Sequence, residues 1–179
     1  MSTVPKSITP ALLAFCGTIA TGRPVFIRSK PSADARPSAC FDNVARKIER
    51  AGGTIAYGWA IWHVPRLYFE AEHHGVWRNR QNVLVDVSPQ IANARLILFL
   101  PDETATYNPT NHRSNVIAPA AQTTISQEIA SLANERSRLI DSYRTNEHMA
   151  VTLSRQDQMK VDSITRRIAA LLAQAGVIL

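Results

Sequence analysis

Residues 67–89, LYFEAEHHGVWRNRQNVLVDVSP, lay down two short strands around a polar turn, and much of the chain must accommodate that pair. Residues 68–77 and 83–87 are rich in β-branched and aromatic side chains, whereas Arg78-Asn79-Arg80-Gln81-Asn82 between them is not, which is the pattern of a hairpin. Side chains alternate along a strand, so Glu70, Glu72 and His74 share one side and His73 takes the other. The second strand carries Asp86. Paired antiparallel, the strands can set the Asp86 carboxylate against one imidazole, which is the orienting half of a catalytic triad. The nucleophile must come from elsewhere.

Two cysteines are available, Cys16 and Cys40. Residues 29–39, SKPSADARPSA, can only be loop. Beyond them Phe41, Val44, Ala45 and Ile48 fall at helical spacing and Gly52-Gly53 closes the pattern. Ser38 can cap this helix, which puts Cys40 in its first turn. There the unpaired amides and the positive end of the helix dipole favour a thiolate, and the same amides can bind a developing oxyanion. Cys16, between Phe15 and Gly17 in an apolar run, reads as a small core residue. Two cysteines are too few for a disulfide framework, although one bridge could join them; a reduced, cytoplasmic chain is expected.

Thr9-Pro10 marks the start of a short helix ending at Gly17. This interrupted apolar segment reads as a buried helix rather than a targeting signal. Residues 24–28, 54–62 and 94–100 add strands, and residues 101–119, broken by three prolines, read as a surface loop able to cover a site. Farther on, Ile125, Ile129, Leu132, Arg136, Leu139 and Tyr143, and then Val161, Ile164, Ile168, Leu171 and Ala175, repeat at spacings of three and four. They predict two helices separated by residues 145–154. The fold class is therefore α+β: an antiparallel sheet packed on a cysteine-bearing helix over residues 1–119, followed by a helical hairpin over 120–179. That hairpin packs on the sheet or on itself; otherwise it serves a homodimer or a partner, with Arg136 in its seam. With 45% hydrophobic residues and no apolar run of about 18, a soluble globular chain without a membrane span is expected. The charge of +6 is scattered along the chain, so a solvated basic surface is expected in preference to nucleic-acid binding.

The motifs PSACFDNV, HHGVW and LVDVSP, in that order over residues 36–90, resemble the cysteine-helix, histidine-strand and aspartate-strand of papain-like enzymes of the transglutaminase and bacterial cysteine-hydrolase type. The resemblance implies Cys40 as nucleophile, a histidine as general base and Asp86 as its orienter. His74 is preferred over His73 because Gly75 leaves room beside its imidazole for substrate. It further implies attack on an amide, isopeptide or thioester carbonyl, as in a thiol protease, deamidase or transglutaminase, with a protein or peptide substrate and no cofactor. His73, Trp59 and Trp77 are candidate substrate contacts, and Trp62 is a further candidate for the cleft wall.

Two other readings compete. Glu70, Glu72 and His74 project from one side of a strand and, with Cys40 or Asp86, could hold zinc or iron. Alternatively the chain is a non-catalytic scaffold that docks a partner through its hairpin. His63, His112 and His148 read as surface residues.

Overall fold

Proline at the first helical position and a threonine before it give helix α1 (Pro10–Gly17) the start its sequence predicts. Thr9 accepts a hydrogen bond from the Leu12 amide, and Leu12, Phe15 and Cys16 are buried. Residues 2–109, 113–143 and 151–177 are described by a computed structural model. The expected surface positions His112 and His148 lie outside them, as does much of the connection expected over 145–154. Two compact units divide the chain: a strand-rich unit of Thr3–Trp62 and Glu72–Tyr107, and a helical unit of Met1–Ser2, His63–Ala71 and Asn108–Leu179. The helical unit thus holds more than a hairpin over 120–179.

The strand-rich unit contains α1, β1 (Val25–Ser29), α2 (Cys40–Ala51), β4 (Leu84–Asp86), β5 (Leu96–Pro101) and most of β2 (Thr54–Val64) and β3 (Tyr68–Arg78). Its strands run in the order β2-β5-β1-β4-β3, and β2 also pairs with β3, so the sheet closes into a small barrel. The expectation of an antiparallel sheet is corrected here: β1 is antiparallel to β5 but parallel to β4. A parallel neighbour requires a long connection, and α2, β2 and β3 supply it. The apolar run of β5 is buried from Ile97 to Leu100, as befits a strand with neighbours on both sides. Gly58 is required where β2 crosses β5, because a Cβ there would lie 2.2 Å from the Leu100 carbonyl oxygen. Ile27, Ala60, Trp62, Val76 and Phe99 fill the interior.

In the helical unit, β6 (Val116–Pro119) occupies part of the expected loop and pairs antiparallel with Tyr68–Ala71 of β3. Helices α3 (Thr124–Asp141) and α4 (Arg155–Gln174) follow, capped by Thr123 and Ser154. The buried face of α4 carries Val161, Ile164, Ile168 and Leu171, as its spacing predicts. That of α3 is rotated from the expected stripe onto Ser126, Ile129, Ala130 and Ala133, while Leu132, Arg136 and Leu139 are only half-buried. Small residues let α3 approach the strands closely enough for hydrogen bonds. Ser126 donates to the Leu67 carbonyl, and Asn134 both donates to and accepts from the backbone of Ile117. The apolar faces of both helices meet Val64, Leu67 and Ile117 in one core. His63 is half-buried rather than exposed, and burial lowers its proton affinity.

Candidate functional site

Helix α2 starts at Cys40, but not by the expected cap. Ser38 sits in the left-handed region at φ 58° and Ala39 holds the cap position without a side-chain bond. Asn43 does the work of fixing this end. Its carbonyl oxygen accepts from the Arg36 amide, and its NH2 donates to the Arg36 carbonyl and to Ser88 Oγ. A buried asparagine is tolerated because these bonds satisfy it. The loop before the cysteine, the helix behind it and the end of β4 are thereby tied together. Cys40 stands half-buried in the first turn, where helix amides lack intrahelical acceptors.

Asp86, at the end of β4, is completely buried and accepts four hydrogen bonds. Its Oδ1 takes the His74 Nε2–H at 3.1 Å and the Ser88 amide at 3.1 Å; its Oδ2 takes the Ser29 hydroxyl at 2.8 Å and the Gln90 amide nitrogen at 2.7 Å. Since a carboxylate can only accept, this contact fixes the proton of a neutral His74 on Nε2. The ring is 4% exposed, and its Nδ1 makes no hydrogen bond of ordinary geometry with any described residue. Burial opposes charge on this ring. The nearby Cys40 sulfur and the Asp86 carboxylate together outweigh burial and hold the imidazole well above its usual proton affinity. Cys40, His74 and Asp86 are thus neighbours. Cys16 is fully buried and unpaired, its thiol pushed up to about 11 by desolvation.

His73 faces elsewhere. Its Nε2–H donates to the Ala105 carbonyl at 2.6 Å, and its ring packs against Phe41 and Trp59, with centroids at 4.9 and 5.4 Å. Phe41, next in the chain to Cys40, also lies flat against Tyr107 at 4.1 Å, and the Trp59 indole donates to Asp102. An aromatic cluster under the 102–107 loop therefore adjoins the cysteine. It corrects the role expected of Gly75. A Cβ there would come within 2.8 Å of Phe41, so the missing side chain admits Phe41 rather than leaving an opening.

The other tryptophans lie apart from this cluster. Trp62 is in the core and donates to Glu72, whereas Trp77 donates to the Gly52 carbonyl and lines a separate hollow with Lys47. Glu70 is held by Asn115. Among the described residues no three His, Cys, Asp or Glu side chains gather as a metal ion requires, the expected set of Glu70, Glu72 and His74 included. Ser29, Asn43 and Gln90 had no motif to reveal them. Among the described residues, no helix is long and apolar enough to cross a membrane. No family model, curated protein or solved structure matches the chain.

Proposed function

We propose that the protein is a cysteine-dependent hydrolase or acyltransferase acting on an amide, isopeptide or thioester carbonyl of a protein or peptide. One observation carries the reading: a buried imidazole has one nitrogen anchored on a fully bonded carboxylate, and a thiol at a helix start lies beside the ring. The papain-like resemblance of the three motifs points the same way. His74 Nδ1 takes the thiol proton, and the Cys40 sulfur bonds to the carbonyl carbon as the π electrons move onto oxygen. First-turn amides of α2 stabilise that oxyanion. Collapse breaks the bond to the amine or thiol leaving group, which receives the proton from His74. Water or an acceptor amine then attacks the thioester, gives its proton to His74 and releases Cys40. Asp86 holds the ring and stabilises its charged form throughout. Trp59 and His73 help shape the aromatic side of the approach.

Alkylation of the full chain with iodoacetamide across pH, combined with turnover of a small thioester, tests this. Cys40 should label well below about pH 8 and ahead of Cys16, and His74→Gln should slow labelling near neutrality by about tenfold or more. Thioester turnover should vanish in Cys40→Ala. Labelling that follows an ordinary thiol and ignores His74→Gln would sink the proposal.

A further inference from the structure

Outside the cysteine site, the clearest unassigned feature is a hollow of about 390 Å³ on the strand-rich unit. Register explains how it forms. Arg28 of β1 lies opposite Val85 of β4, and Val85 lies opposite Trp77 of β3, so these side chains form one row across three strands. The next residues along, Ser29 and Asp86, are paired and buried, their side chains joined to each other. The same strands therefore carry Asp86, the proposed orienter of His74, and, one residue out of phase, the wall of the hollow. Val83, Val85 and Val87 give that wall an apolar floor.

Its cations are unlike others nearby. Arg28, Lys30 and Lys47 all line the hollow, and no acidic residue does. Arg46 and Arg50, on the same helix as Lys47, share the carboxylate of Asp34 at 3.3 and 2.7 Å. No carboxylate among the described residues pairs with Arg28, Lys30 or Lys47, and the Lys47 ammonium instead lies 4.8 Å above the Trp77 ring. Like charges gathered over an apolar floor repel one another and focus a positive potential into the concavity. A single carboxylate would leave two of the three charges uncompensated. A phosphoryl group carries about −1.5 to −2 and three acceptor oxygens, which suits a guanidinium fork with two ammonium groups. Asn79 adds its NH2 as a donor, its carbonyl oxygen being engaged by the amides of Gln81 and Val83. The valines and the Trp77 edge suit an apolar body, and the volume is at the small end of the range for ligand sites, about 300–1,000 Å³.

We propose that this hollow binds a small organic phosphate, the phosphoryl group held by Arg28, Lys30 and Lys47 and the apolar body resting on the valine floor beside Trp77. The site is separate from the cysteine chemistry and does not depend on it.

Titration calorimetry on the full chain, with phenyl phosphate, inorganic phosphate, benzoate and a single-stranded oligonucleotide as probes, tests this. Phenyl phosphate should bind saturably at one site, about tenfold or more tighter than benzoate and than inorganic phosphate. Arg28→Gln and Lys47→Gln should each weaken it by about tenfold, with unchanged circular dichroism, while Lys6→Gln leaves it unaltered. Absence of saturable binding, or equal loss in Lys6→Gln, overturns the site. Inorganic phosphate binding as tightly as phenyl phosphate overturns the role of the apolar floor. Oligonucleotide binding that outcompetes phenyl phosphate and is insensitive to Arg28→Gln would mark a diffuse basic surface and also overturn it.

Discussion

Four donors on one carboxylate leave Asp86 no freedom to turn, and its orientation fixes that of the His74 ring. The ring's proton affinity is raised in the fold, despite burial, by Cys40 and Asp86. Between the ordinary value of 6.5 and the raised one, the folded protein binds more protons at this group than the unfolded chain. Its contribution to stability is therefore complete below 6.5 and is lost as pH rises through the folded value. Denaturant titrations of wild type and His74→Gln should show a stability gap that narrows with rising pH, by at most about 1.4 kcal/mol per pH unit. A gap that widens over that window contradicts the assignment. Cys40, His74 and Asp86 were legible because each type has marked chemistry and each element has a clear period. Ser29, Gln90 and Asn43 were not, because a serine or an amide gains its role only from what faces it after folding.

Elements show a similar division between local and distant information. The starts of α1 and α4, the spans of β2 and β3, and the apolar face of α4 all follow from caps and periodicity within each segment. The insertion of β1 between β5 and β4 does not, since strand pairing over such a separation leaves no mark in either partner's own sequence. For the same reason β6 was hidden in a proline-broken loop. Helix α2 is bound to the sheet partly by the absence of a side chain at Gly75, into whose space Phe41 fits. Gly75→Ala should force that ring to move, costing about 1–3 kcal/mol in urea titration and altering the near-ultraviolet dichroism of the Phe41–Tyr107 stack. A variant of native stability and unchanged spectrum would show that α2 is less tightly seated.

At the scale of the whole molecule, each unit has its own buried core, one lined by the strands and the other by α3 and α4. The apolar stripe of α4, half of the surface from which a partner-binding hairpin was expected, is consumed in the second core, whereas of the expected α3 stripe only Ile129 is buried. Leu171→Ala should therefore cost about 2–5 kcal/mol in denaturant titration. Exposed Met159→Ala should stay within about 0.5 kcal/mol of wild type. Equal effects would place Leu171 at a solvated surface.

The parallel seam between β1 and β4 joins Ser29 to Asp86 across 57 positions of chain. Closing so wide a loop is slow compared with forming a helix or a local hairpin, because entropy is spent before the contact rewards it. A chain leaving the ribosome thus completes the helix that carries Cys40 before Asp86 is anchored, and Cys40, His74 and Asp86 come together only when that seam closes.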